Sequence, residues 1–237
     1  HVDVSYLSEA LQVSEVTIRK DLDKLEEERI LIRNHGGASL NENLFFEPTF
    51  MEKEVKLIAE KRAIAQEAAR LVASDMMITL STGTTVGQMT ELIRDSAGLT
   101  VVTNAVNIVH QLVHAPNIHL FVTGGHIRPS TYALIGEAAV RSLKDICSQY
   151  AFIGTNGVDL THGITTPSAE EAEVVRQVIV SAQKTVLLAD HSKFGHVAYY
   201  RVCPIDKIDI VITDDGTPEQ FLKPLQDRGI EVIVVRP

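Results

Sequence analysis

Apolar residues in the first forty positions recur at helical spacing. Val4 to Leu11 reads as a short helix, Gln12-Val13 as a turn, and Ser14 as the N-cap of a second helix. In that second helix Ile18, Leu22 and Leu25 fall at i, i+4 and i+7 on one face, which turns Thr17, Arg19, Lys20 and Lys24 elsewhere. The run Ile30-Leu31-Ile32-Arg33 is β-like and leads into a glycine turn, Asn34-His35-Gly36-Gly37-Ala38, so a small hairpin is predicted beside the helix. Residues 41–53 hold no sustained period and are expected to connect two domains, 1–40 and 54–237. The second opens with a helical stretch from about Glu54 to Val72, apolar at Ile64, Ala68, Leu71 and Val72. Seven β-branched runs follow, at 77–80, 101–103, 119–122, 151–153, 186–188, 208–213 and 231–235, alternating with helical stretches. That alternation predicts an α/β domain, a mostly parallel sheet with flanking helices on both faces.

Composition narrows the function classes. Of 237 residues 45% are hydrophobic, enough to bury a core, yet no apolar run approaches the roughly 20 residues that cross a bilayer. No charged-then-apolar leader is visible, so a cytoplasmic location is expected. Cys147 and Cys203 stand far apart, outside any metal-binding spacing, and read as spectator thiols. A net charge of −9 argues against a protein that coats nucleic acid without specificity. Residues 1–40 themselves carry five Lys or Arg against eight Asp or Glu, so any contact with DNA must be local.

Two short helices joined by a tight turn, the second with hydroxyl and cationic groups near its start, form the geometry that sets a recognition helix in the major groove, with the hairpin as a wing. Periodicity alone supports equally an amphipathic helical hairpin whose charges are merely solvated. In the α/β domain, small, polar and glycine-rich loops follow the strands: Ser81-Thr82-Gly83-Thr84-Thr85, Thr103-Asn104-Ala105, Thr123-Gly124-Gly125, Gly154-Thr155-Asn156-Gly157 and Asp190-His191-Ser192-Lys193. Open α/β sheets bind ligands at these carboxyl ends. Gly83 with Thr84 and Thr85 before a helix suits an anion, phosphate above all, and Arg128 and Lys193 are candidate cations for it. Neither Walker A nor G-x-G-x-x-G spacing occurs, so no nucleotide and no cofactor is expected. His110 and His114 are spaced for one helix face, but no metal site is expected there. The adjacent Asp190, His191 and Ser192 cannot form a hydrolytic relay, and capping and solvating a helix that starts near Ser168 is the commoner role for Glu170, Glu171 and Glu173.

The string VSEVTIRKDLDKLEEERILIRNHGGA resembles the DNA-binding signature of DeoR-family repressors, a winged helix-turn-helix. The segments TGTT, TGGHIR, FIGTNGVD, GITTPSAEEAEVVR and LLADHSKFG resemble successive blocks of that family's sensor domain, which is similar in fold to sugar-phosphate isomerases. The resemblance implies that Ser14, Thr17, Arg19 and Lys20 contact DNA, with Arg33 and His35 near the wing. It implies an effector pocket lined by Ser81, Gly83, Thr84, Thr85, Asn104, Gly124, Gly125, Arg128 and Lys193, with Glu171 and Asp190 close by. Family members carry a further helix ahead of the segment where this chain begins, so the winged helix-turn-helix is expected to be partial. Ser81 stands where most members have Asp, and Ala105 where Ser is common.

Two functions follow. The first is a non-enzymatic repressor of a carbohydrate or polyol operon, read out on double-stranded operator DNA by a homo-oligomer, dimer or tetramer, and controlled by a phosphorylated sugar or polyol. The second is a sugar-phosphate isomerase or deaminase that uses Asp190 or Glu171 with Lys193 as its base.

Overall fold

The computed structural model describes residues 2–27, 31–34, 36–40 and 48–237. The chain divides into two compact units, 1–47 and 48–237.

In the first unit β1 (Val2–Asp3) leads into α1 (Val4–Leu11), and Gln12, left-handed at φ 55°, ends that helix. Ser14 then caps α2 (Glu15–Glu27), its Oγ accepting from the Thr17 N–H at 3.2 Å. The strands β2 (Leu31–Asn34) and β3 (Gly37–Leu40) pair antiparallel, and β1 adds to the far side of β3 in the order β1-β3-β2. The expected hairpin is therefore present with one strand more than the sequence suggested. Gly37 is required by that extra strand, because a Cβ there would sit 2.1 Å from the Val2 carbonyl oxygen. Among the described residues Val4, Ile18, Leu22, Leu31 and Ala38 form the unit's buried core, edged by Leu7 and Leu25. Each large aliphatic buried there contributes about 1.5–3 kcal/mol.

The second unit begins earlier than the loss of period suggests. Residues 48–53, read from sequence as connection, belong to it: Thr49 and Glu52 make a reciprocal capping box for α3 (Phe50–Glu54), and Phe50 is buried against Tyr132 with ring centroids 5.0 Å apart. After α3 come α4 (Ile58–Ala69), β4 (Met77–Leu80), α5 (Thr84–Gly87), α6 (Thr90–Ile93), β5 (Leu99–Thr103), α7 (Val106–Leu112) and β6 (Ile118–Val122). A hairpin, β7 (His126–Arg128) with β8 (Ala133–Ile135), precedes α8 (Glu137–Leu143) and β9 (Ser148–Ile153). The remainder is β10 (Gly157–Asp159), β11 (Gly163–Thr166), α9 (Ala169–Val180), β12 (Ala182–Leu188), β13 (Tyr200–Cys203), β14 (Ile210–Asp214), α10 (Glu219–Asp227) and β15 (Glu231–Val235).

Seven strands form one parallel sheet in the order β15-β14-β12-β9-β4-β5-β6, with β10, β11 and β13 in a separate antiparallel sheet. Alternate strand residues feed opposite cores. Val186, Leu188, Ile210 and Ile212 pack with α4 to α7, while Leu187 and Val211 pack with α8 and α9. Both faces are therefore covered, as the β-branched runs predicted. From β4 the chain winds one way to β5 and β6, and from β9 the other way to β12, β14 and β15. The carboxyl ends of β4 and β9 thus flank a topological switch point, the place where such sheets open a crevice.

Candidate functional site

On α2, Ile18 and Leu22 face the small core, so Thr17, Lys20 and Lys24 lie on the opposite, exposed face. The Ser14 and Thr17 hydroxyls are 2.9 Å apart in the first turn. Arg19 is exposed and paired with Glu15 one turn back at 2.9 Å, an interaction worth only a few tenths of a kcal/mol. Arg33 behaves differently. Its guanidinium donates to Asp23 and, at 3.1 Å, to the Arg19 carbonyl, while its N–H donates to Glu26 Oε1 at 2.8 Å. Geometry makes Arg33 a clamp between β2 and α2 rather than a free cation. His35 lies outside the described residues.

At the switch point of the second unit, Gly83 caps α5 at φ 150°, and a Cβ on it would lie 3.7 Å from the Gly154 Cα. The loops after β4 and β9 are therefore in near contact. Thr84 and Thr85 are buried in the first turn of α5. Ser81, Asn104 and Thr123, each the residue directly after β4, β5 and β6, are buried, and Ser81 Oγ, Asn104 Oδ1 and Thr123 Oγ1 make no hydrogen bond to the protein. The same holds for both amide atoms of Asn107 in α7 and for Asp190 Oδ2 after β12. Among the described residues these are all the orphaned buried side-chain atoms of the second unit. Leaving such a group unpaired costs about 1–3 kcal/mol, so six such atoms at the carboxyl end of one sheet make that end the candidate site for a polar ligand.

The cations of this site are lysines. Asp190 Oδ1 accepts from the Ser192 N–H at 3.0 Å and from its hydroxyl, while Oδ2 lies 3.9 Å from Lys193 Nζ. Burial lowers the Lys193 pKa, with Lys53 and Lys56 adding to the fall and Asp190 opposing it. Lys61, on α4, is 4% exposed and its Nζ donates to the Lys53 carbonyl. Burial drives its pKa down to about 8; Asp190 opposes, and Lys193 and Lys53 push further down. The buried Lys61 and the partly exposed Lys193 thus both feel the Asp190 carboxylate, with Glu54 adding to it at Lys61, and the positive charge gathered there favours an added anion.

Arg128 and Glu171 form a second cluster. Arg128 Nη1 donates to Glu171 Oε2 at 2.9 Å, Thr131 donates to Oε1, and Thr131 also accepts through its carbonyl from Thr82 Oγ1 at 2.9 Å. The pair is tied to the β4 loop through Thr131. Gly124 and Gly125 serve packing: the Gly124 N–H donates to Ser142 Oγ at 3.1 Å, and a Cβ on Gly125 would meet the Ile135 carbonyl oxygen at 2.4 Å. Gly124 directly follows the orphaned Thr123 in the chain. His191 is held by Asp214 through Nδ1 at 2.7 Å and Ser192 by Asp190, so the residue types of a relay are each spent on local structure.

Sequence reasoning missed Lys61, Asn107 and Thr123. Lys61, Ile64, Ala65 and Ala68 follow i, i+3, i+4 and i+7, so the signal was a lysine on the apolar stripe of a helix. Two surface cavities, of about 390 and 470 Å³, open elsewhere around Pro204 and Asp206.

The DeoR-like helix-turn-helix domain matches residues 1–43 and the DeoR C-terminal sensor domain residues 56–215. The HTH-type transcriptional regulator YulB of Bacillus subtilis is 34% identical over 99% of this chain and 90% of its own length. The HTH-type transcriptional regulator GlpR of Haloferax volcanii is 32% identical over 97% and 90%, and the HTH-type transcriptional repressor CsqR of Escherichia coli is 28% identical over 99% and 89%. Among solved structures, ribose 5-phosphate isomerase from Plasmodium falciparum aligns at 18% identity with a TM-score of 0.42, over 56% of this chain and 52% of that one. Relatives across the whole length are regulators, which sets the isomerase or deaminase alternative aside. The chain belongs to the DeoR family of DNA-binding transcriptional regulators, with a DeoR-like helix-turn-helix followed by a DeoR sensor domain.

Proposed function

We propose that this regulator represses a carbohydrate or polyol operon in the cytoplasm and is controlled by a phosphorylated sugar or polyol bound at the carboxyl ends of β4, β5, β9 and β12. One observation carries the reading: the orphaned Ser81, Asn104 and Asp190 side chains follow strands of one sheet at its carboxyl end, with orphaned Asn107 in the helix after β5, and Lys193 stands 3.9 Å from Asp190 while Lys61 feels the same carboxylate. In this account Lys61 and Lys193, with Gly83, Thr84 and Thr85, take the phosphate. Asp190, Asn104 and Asn107 take sugar hydroxyls, since a hydroxyl can donate to a carboxylate or amide oxygen and a phosphate dianion has no proton to donate. Arg128 and Glu171 hold the β4 loop in place through Thr131. On DNA, Thr17, Lys20 and Arg19 of α2 meet base edges and phosphates, with Ser14 capping the helix and Arg33 fixing the hairpin. Two copies read a two-fold operator. The domain assignment, a reader before residue 48 and a sensor after it, is part of the same reading.

The test is a selection of duplexes from a random pool by the full chain, followed by titration with hexose, pentose and polyol phosphates. A two-fold selected sequence, released by at least one phosphate ester and not by its free sugar, supports the reading. Selection of no sequence, or release indifferent to the phosphate, overturns it.

A further inference from the structure

We propose that the β6 edge of the main sheet is the surface on which two copies of this chain pair. The inference rests on the oligomer proposed above and says where its contact lies.

β6 closes one end of the seven-strand order and, among the described residues, pairs only with β5. Its five register pairs with β5 run without a bulge, and Ile118-His119-Leu120-Phe121-Val122 contains no charge and no proline. Sheets normally guard such edges with charge, proline or a bulge, because a bare edge is a template for another strand. The opposite edge of this sheet is guarded: β15 starts at Glu231, with Arg228 before it and Arg236 behind it. The bare stretch also extends well beyond β6. From Asp95 to Arg128 there is no Asp, Glu, Lys or Arg between the two, in a chain where 22% of residues are charged. Along it Val113, Phe121, Val122 and Ile127 are exposed, Phe121 by 44%.

Backbone direction completes the case. The Thr123 N–H donates to the Thr103 carbonyl at 3.0 Å, so by strand alternation the N–H and C=O of Leu120 and Val122 point away from β5. Among the described residues nothing pairs with these groups, and they can receive a second strand. The occupant is a second copy for two reasons. A net charge of −9 opposes self-approach elsewhere, whereas this edge brings no charge against its twin. A strand laid antiparallel to its own copy is related by a two-fold axis and uses up both edges, giving a closed pair rather than a filament.

The experiment measures the molar mass of the full chain by light scattering, for the native sequence, for Phe121→Lys, for Val122→Lys, and for Val180→Lys as a control on α9, where Val180 is 77% exposed. Far-UV dichroism and melting verify that each variant is folded. Hydrogen exchange at the Leu120 and Val122 amides is read alongside. Native chain is expected at a multiple of the protomer mass with both amides protected. Either edge variant is expected to halve that mass and expose the amides, and the control to change neither. A native oligomer unaffected by the edge variants, or unprotected Leu120 and Val122 amides in it, overturns the edge and leaves the oligomer standing. A native protomer alone overturns both.

Discussion

Lys61→Met separates a ligand-binding lysine from a structural one, because the two roles predict opposite signs. The Lys61 pKa falls from 10.5 to about 8 through burial, so holding its charge costs the free protein about 3 kcal/mol. A lowered pKa on a base means that the unfolded chain binds the proton more strongly. The cost is full below about pH 8 and fades as pH rises from there toward 10.5. Methionine occupies similar volume without charge, so the substitution removes that cost and loses the charge-assisted bond from Nζ to the Lys53 carbonyl, worth about 1.5 kcal/mol. The net is a gain of about 1.5 kcal/mol, or a melting temperature raised by roughly 3–6 °C at pH 7 for a unit of this size. The same change removes one charge-assisted contact to the phosphate, worth about 1.5–3 kcal/mol, and lowers effector affinity roughly 10- to 150-fold. Scanning calorimetry reads the first effect and titration calorimetry the second. A variant that melts lower than the native protein while binding its effector equally well would refute the argument, because Lys61 would then be part of the scaffold.

Other expectations follow from the same geometry. At pH 8, where Lys61 is half protonated, binding of a phosphate ester takes up about half a proton, measurable as a dependence of binding heat on the ionisation enthalpy of the buffer. Lys20→Ala weakens selected and random duplexes alike and makes the log–log salt dependence shallower by about one per reader, whereas Thr17→Ala relaxes sequence preference. Arg33→Ala frees β2 from α2 at a cost of about 1–2 kcal/mol, seen as roughly tenfold faster amide exchange in the hairpin with effector affinity unchanged. Burial pushes the Cys203 thiol up to about 11 while Cys147 is exposed, so a thiol reagent at pH 7.5 modifies Cys147 alone until the chain is unfolded.

Much of this fold was legible because its strands are doubly buried. β4, β9, β12 and β14 read as short β-branched runs since both faces need apolar residues, and Met77–Leu80 and Glu231–Val235 were bounded to the residue. The three-residue strands β7, β8 and β10 escaped notice because so short a strand has no period to detect, and β1 because its evidence is the steric demand at Gly37. Helix α3 was hidden by Pro48 and the composition around it, although Thr49 and Glu52 spell a capping box. In the site, glycine-rich loops were a sound guide to the strand ends but not to individual roles. Gly125 is fixed by the Ile135 carbonyl, and Arg33 is drawn inward by Asp23. Lys61 belongs to no motif, and its only trace in the sequence is its place on the apolar stripe of α4 with Ile64, Ala65 and Ala68.

The central claim, a sensor that binds a phosphate ester without transforming it, is tested most directly by an NMR screen of the full chain. Sugar and polyol phosphates are placed beside their unphosphorylated forms, and binding and chemical conversion are followed together. The account predicts binding that requires the phosphate, leaves the compound unchanged, and is lost with Lys61→Met and Lys193→Met. Steady turnover of a sugar phosphate, or binding that ignores both the phosphate and the two lysines, would contradict it.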